Sequence, residues 1–231
     1  MARINKRALT KLEIVQEASR QFLEKGYSHT TISSISKALG MSPGNLTFHF
    51  PTKEHLLAEL VELMCAFQWK MMEAEADEGY SSIMAICLEL TSMASAAEDD
   101  EVIKDFFISA YTSPLCLEII RKNDAKRAKE VFGAYRPGWT DEQFDGAEIM
   151  CSGIEYATMM TAGAPVSLET KIQGALHTIM SIYNIPVEMQ QTKIQKVFSM
   201  DYRNLGKRVL REFKEYVEQA NEQAFYELLN R

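Results

Sequence analysis

Six prolines, at positions 43, 51, 114, 137, 165 and 186, divide the chain into stretches where apolar residues recur every three or four positions. That spacing gathers side chains on one face of an α-helix, whereas proline, with no N–H and a fixed φ, belongs at helix ends. Period-two alternation of β-branched residues over four or more positions is missing, so a sheet has little to be built from. The pattern predicts an all-α chain without internal repeats or low-complexity linkers.

The front of the chain reads as three helices in quick succession. Ile14, Val15, Ala18, Phe22 and Leu23 form an apolar face on a helix from about Ala8 to Lys25, and Gly26 suits the left-handed residue that ends it. A short helix follows, capped by Thr30 or Thr31 and burying Ile32, Ile35 and Leu39. Gly40 breaks it. Ser42 as N-cap and Pro43 as first helical residue open another short helix to Phe48, and Pro51 and Thr52 close that unit before a long helix beginning at Lys53.

The remainder is predicted to be longer amphipathic helices in a bundle. Ile83, Ile86, Leu90, Met93 and Ala97 make one stripe; a helix near Val102 to Arg121 carries Phe106, Phe107 and Tyr111; Thr140 and Gln143 form a capping box for a helix reaching Gly163. Leu168 to Tyr183 and Asp201 to Leu229 repeat the same rhythm. Cys65, Cys87, Cys116 and Cys151 are widely spaced within apolar patterns, which reads as buried free thiols. No apolar stretch approaches the roughly 18 residues of a membrane helix, and the first residues lack the apolar core of a signal peptide, so a cytoplasmic protein is expected, with no membrane partner.

Charge separates front from body. The formal net charge is −7, yet residues 1–56 carry eight Lys and Arg against four Glu, a net of +4, while the rest holds 17 basic against 28 acidic residues, a net of −11. A basic front on an acidic body suits contact with phosphate through the front alone, because neutralised phosphates release counterions.

The segment from Thr30 to Phe50 has the layout of a helix-turn-helix: a short helix, a turn at Leu39-Gly40-Met41, and a second short helix opened by Ser-Pro. Pro43, Gly44, Asn45, Thr47 and Phe48 would project from the second helix, where small and polar side chains allow close approach to a major groove and Asn suits an adenine edge. Thr31, Ser42, Thr47, His49 and Lys53, with the arm residues Arg3, Lys6 and Arg7, are candidate phosphate ligands. The run IVQEASRQFLEKGYSHTTISSISKALGMSPGNLTFHFPTKEHLL resembles the TetR-family DNA-binding domain over about 45 residues. Matching positions include Ala18, Phe22, Gly26, Tyr27, Thr30, Thr31, Ile35, Ala38, Gly40, Ser42, Gly44, Leu46, His49, Phe50, Lys53 and Leu56. That family usually carries a tyrosine directly after the position of Leu46, where this chain has Thr47. The resemblance implies a three-helix DNA-binding domain at residues 1–56 and a helical ligand-binding and dimerisation domain at 57–231. It also implies a homodimer on double-stranded operator DNA, a small-molecule effector, and transmission through the fourth helix.

For the ligand, thirteen methionines and an ample supply of aromatics suggest an adaptable, largely hydrophobic pocket. Trp69, Phe106, Tyr111, Trp139, Tyr156 and Met160 are its candidate walls. Glu148 and Glu155, seven apart on one helix, fit either a solvated stripe or a contact to a cationic or hydroxylated ligand. His177, inside an apolar run, reads as a core or interface histidine. No GxSxG, HExxH, phosphate-cradling glycine loop or paired metal motif occurs, so neither catalysis nor a cofactor is expected. The reading from a different class is a helical small-molecule carrier, or an enzyme with a vestigial helix-turn-helix. The helices at 140–163 and 166–184 are expected to form the dimer interface, with the 201–229 helix as competitor.

Overall fold

The computed structural model describes residues 6–77, 79, 81–160 and 165–229, and every regular element among them is helical. The order is α1 Lys6–Lys25, α2 Ile32–Ala38, α3 Pro43–His49, α4 Lys53–Asp77, α5 Ser82–Asp99, α6 Glu101–Thr112 and α7 Pro114–Phe132. After a 3-10 turn at Gly133–Tyr135 come α8 Asp141–Met160, α9 Leu168–Ile182, α10 Val187–Ser199 and α11 Tyr202–Leu229. The fold is all-α, a helix-turn-helix head followed by a larger helical bundle. Among the described residues no helix is long and apolar enough to cross a membrane.

Local chemistry sets the short helices of the head. Thr31 accepts from the Ser34 amide while the Ser34 hydroxyl receives the Thr31 amide, a reciprocal cap on α2. Ser42 accepts from the Asn45 amide ahead of Pro43 on α3. Each such cap is worth about 1 kcal/mol, which matters for helices of two turns. Gly40 takes φ of +65°, letting the chain reverse between them.

Elsewhere the boundaries depart from expectation in two places. The helix expected near 102–121 is two helices, because Pro114 has no N–H to continue the ladder and the Ser113 hydroxyl caps the new start by accepting from Cys116. α10 has no counterpart in the sequence reading; Pro186 precedes it without a side-chain cap. The Thr140–Gln143 capping box forms, and α8 ends at Met160, with residues 161–164 outside the described residues. All four cysteines are buried and free.

Two apolar cores run through the molecule. The first joins the head to the base of the bundle: Phe22, Ile35, Leu46 and Leu56 are continuous with Phe106, Phe107 and Phe213. The second lies among α5, α7, α8, α9 and α10. α4 crosses residue 56 without a break. α11 packs along α5 and reaches α4 and α1, with Phe213 against Phe67 and Phe106 at ring separations of 5.5 and 6.2 Å. Phe213 and Val217, at the centre of its apolar stripe, are thereby buried within its own chain.

A polar clasp also fixes the head to the bundle. Asp105 on α6 accepts from the Ser28 amide at 2.8 Å and from the Ser28 hydroxyl, in the turn between α1 and α2. The turn needs Gly26, whose φ is +91° and whose added Cβ would lie 2.8 Å from Asp105 Oδ2. Gly26→Ala is expected to lower stability in urea denaturation by about 1–2 kcal/mol for the left-handed backbone, plus the contact with Asp105. The second part should vanish in an Asp105→Ala background, and equal losses in both backgrounds would mean the carboxylate does not confine this turn.

Candidate nucleic-acid interface and ligand cavity

Every residue expected to face DNA from α3 lies at the surface. Pro43, Gly44, Asn45, Thr47 and Phe48 are exposed, Phe48 to 68%, while Leu46 between them is fully buried. Among the described residues the Phe48 ring meets only His49, edge-on at 5.4 Å, and Arg7, so most of it faces outward. Arg7 places its guanidinium 5.4 Å from the Phe48 ring, bringing the N-terminal arm to the same side. Thr31 and Ser42 are exposed as well, each already accepting a capping amide but keeping a hydroxyl hydrogen to donate. Lys6 is exposed at the start of α1; Arg3 lies outside the described residues.

Lys53 has internal ties, and His49 is partly buried without one among the described residues. Lys53 donates to the Tyr27 and Thr30 carbonyls at 2.8 and 2.9 Å, and its ammonium stands 3.8 Å from the Tyr27 ring centroid. Burial holds its pKa below the ordinary lysine value, against an opposing pull from Asp105. Lys53 thus ties α4 to the turn after α1, and two of its three donors are used there. His49 is half-buried, and its Nδ1 has no hydrogen-bond partner among the described residues.

The bundle contains a cavity of about 40 Å³ walled by α5, α7, α8 and α9. Ile83, Leu90, Phe132, Leu176 and Ile179 give it an apolar lining, yet Glu89, Asp124, Glu148 and Glu155 also line it, with Arg127 as the sole base. Arg127 pairs with Glu89 through both terminal nitrogens and reaches Asp124 at 3.3 Å. Glu148 and Glu155 instead receive tyrosine hydroxyls: Tyr183 donates to Glu148, and Tyr111 donates to Glu155 at 2.8 Å. Of the two accounts open for these glutamates, the solvated stripe is overturned, because α8 turns that face inward between α7 and α9.

None of the six aromatic and methionine candidates lines this cavity. Phe106 is packed in the first core, Tyr156 lies against it, and Met160 is exposed. Trp139 rests on Phe144 and Tyr183. Two of them sit one contact behind the wall: Tyr111 holds Glu155, and Trp69 on α4 donates to Asn123 of α7 at 2.8 Å beside Arg127. His177 is exposed on the outer face of α9, so it is no core residue.

Burial dominates the titration of these acids. It pushes Glu148 up to about 7, with Asp124 adding repulsion; it pushes Asp124 up to about 6 despite Arg127; and it holds Glu155 well above the ordinary range. Between about pH 4.5 and 7 the folded chain keeps protons that the unfolded chain has released, so these groups stabilise most below that window and lose their contribution as pH rises through it. Thermal stability is expected to fall from about pH 5 to 8. Glu148→Gln should flatten the profile and raise stability at pH 8 by roughly 2–4 kcal/mol, and an unchanged slope would mean that Glu148 titrates normally.

The model for bacterial regulatory proteins of the tetR family matches residues 14–60, spanning α1 to the first turns of α4. The HTH-type transcriptional regulator QacR of Staphylococcus aureus strain Mu50 is 40% identical over 61 residues, 25% of this chain, which spans 32% of that protein's length. The uncharacterized HTH-type transcriptional regulator YxaF of Bacillus subtilis strain 168 is 26% identical over 186 residues, covering 76% of this chain and 92% of that protein. Among solved structures, full-length TylP, a TetR regulator from Streptomyces fradiae, is 19% identical with a TM-score of 0.46, covering 83% of this chain and 99% of its own. Residues 14–60 are thus a DNA-binding head of the kind found in the tetR family of bacterial regulatory proteins.

Proposed function

We propose that the chain is a dimeric, cytoplasmic repressor that binds operator DNA through α3 and releases it when a small, largely hydrophobic molecule enters the bundle. The observation carrying this reading is the exposed run of α3, small or polar but for Phe48, held on a core continuous with α4. α3 enters the major groove, Asn45 and Thr47 meet base edges, and Phe48 offers apolar contact to a thymine methyl. Lys6, Arg7, Thr31, Ser42, His49 and the remaining donor of Lys53 contact phosphate, and Arg3 extends the arm.

Dimerisation uses the outer faces of α8 and α9. Ile149 and Met150 stand 48% and 58% exposed beside open Gly146 and Gly153, and α9 adds exposed Gly174 and His177. α11 is the weaker competitor, since Phe213 and Val217 at the centre of its apolar stripe are buried against its own chain. Two heads then meet successive major grooves about 34 Å apart.

The cavity supplies the switch. At about 40 Å³ it holds little beyond a few waters, whereas an effector needs roughly 300 Å³ or more, so occupation must part the walls. α7 carries Asp124 and Arg127 on the cavity side and Asn123 toward Trp69 of α4, and α4 begins at Lys53 against the head. Moving α7 therefore moves α4. A coupling of about 1–3 kcal/mol lowers operator affinity, and operator DNA weakens effector binding by the same factor.

Binding to the intergenic DNA upstream of its own gene, titrated over salt with an unrelated duplex as control, tests the reading. Specific binding with a steep salt slope is expected. Lys6→Ala and Arg7→Ala should each reduce that slope by about 1, and Phe48→Ala should cost specificity while leaving the slope intact. Failure on this duplex and in a genomic selection would overturn the reading. Ile149→Glu with Met150→Glu is expected to give monomers in sedimentation and to abolish specific binding, and a persistent dimer would place the interface elsewhere.

A further inference from the structure

We propose that the cavity recognises an apolar molecule bearing one basic nitrogen, held as its cation against Glu148 and Glu155, with an uncharged oxygen accepting from Arg127 Nε. This inference names the effector's chemical class and so rests on the effector-responsive reading above.

The charge balance inside the wall carries the first half. Four carboxyl groups line the cavity against one guanidinium. Arg127 is engaged by Glu89 and Asp124, which leaves Glu148 and Glu155 with tyrosine hydroxyls and, among the described residues, no salt bridge to any Lys, Arg or His. An incoming cation would meet two acids in a low-dielectric wall, where a charge-assisted hydrogen bond is strong. An anion would meet repulsion from every side but one. A metal ion fits poorly, since among the described residues no three His, Cys, Asp or Glu side chains gather closely enough to hold one.

An independent observation carries the second half. Arg127 is 3% exposed, lines the cavity, and has an Nε with no hydrogen-bond partner among the described residues, although both terminal nitrogens are bonded to carboxylates. A buried unpaired donor of this kind is costly, and an acceptor brought by the ligand removes that cost. The surrounding Ile83, Leu90, Phe132 and Ile179 accept an apolar body.

Protonation then becomes part of recognition. Glu148 and Glu155 on α8 face Glu89 of α5, Asp124 and Arg127 of α7, Tyr111 of α6, Tyr183 at the end of α9, and the Cys87 and Cys151 thiols. With burial holding the two glutamates toward their neutral forms, a bound cation drives them to carboxylates and expels protons. Affinity for a permanently charged amine therefore rises from pH 6 to 8.

Three probes sharing one body test this: 4-phenoxybutylamine, 4-phenoxybutanol and 4-phenoxybutanoate, titrated calorimetrically into the full chain at pH 6, 7 and 8, in buffers of differing ionisation heat. The amine is expected to bind about tenfold or more tighter than the alcohol at pH 8, to release protons on binding, and to weaken toward pH 6, with the butanoate silent. Glu148→Gln with Glu155→Gln should remove the amine's advantage and its proton release while leaving the alcohol unchanged. Because Gln keeps the volume and removes a buried charge, the variant should fold, which circular dichroism checks, and the single Glu155→Gln change serves if it does not. Equal binding of amine and alcohol, an amine indifferent to these replacements, or no amine heat at millimolar concentration would overturn the proposal. Duplex binding by the same preparations separates the two readings. A chain that binds DNA but shows one of those failures loses the ligand class alone, whereas one that binds the amine with proton release but no DNA keeps this cavity and loses the repressor reading.

Discussion

A guanidinium cannot be taken out of water in the middle of a helical bundle unless carboxylates are waiting for it, and Arg127 is nearly fully buried. The cost of an isolated buried ion runs to several kcal/mol, so α5 has to present Glu89 and α7 its own Asp124 at hydrogen-bonding distance. That requirement fixes how α5 and α7 approach each other. It also places acid in the second core, to which α8 adds Glu148 and Glu155, held by the hydroxyls of Tyr183 at the end of α9 and Tyr111 of α6 rather than by further bases. The upper bundle is thus organised around an electrostatic demand, with apolar packing filled in around it.

The lower molecule is organised differently. There the head and the base of the bundle share one apolar core, and the polar contacts act as stitches on its margin: Asp105 to the turn at Ser28, Lys53 to the carbonyls of Tyr27 and Thr30. Both stitches end in the loop between α1 and α2, one from α6 and one from α4. A head held this way follows its supporting helices as a rigid piece, because close-packed cores transmit displacement instead of absorbing it.

The head was legible because its signals are local. Thr31, Ser42, Pro43 and Gly40 each act within three or four residues of themselves, and their chemistry places α2 and α3 without reference to the rest of the chain. The cavity was not. Glu89 stands as the lone charge in an apolar run from Ile83 to Ala97 and could have been singled out on that ground. Asp124 and Arg127, by contrast, lie in the stretch RKNDAKRAKE, which has every mark of a solvated face. Which of those charges turn inward is decided by helices far away in sequence. Phe106 and Trp139 fill volume and stack on neighbours, while the aromatics that line the cavity are Phe132 and Tyr183, brought there by helices far apart in sequence.

α11 carries a consequence for how the molecule comes to be made. Its contacts with α1 and α4 bring together segments from the two ends of the sequence, and Val15 shares a crevice with Ala224 and Leu228. During synthesis α1 leaves the ribosome well before α11, so the part of α1 that α11 covers stays open until α11 has been made. Closing so long a loop is slow compared with forming the helices themselves. The nascent chain thus passes through a stage in which the head rests on α4 and α6 but not yet on α11.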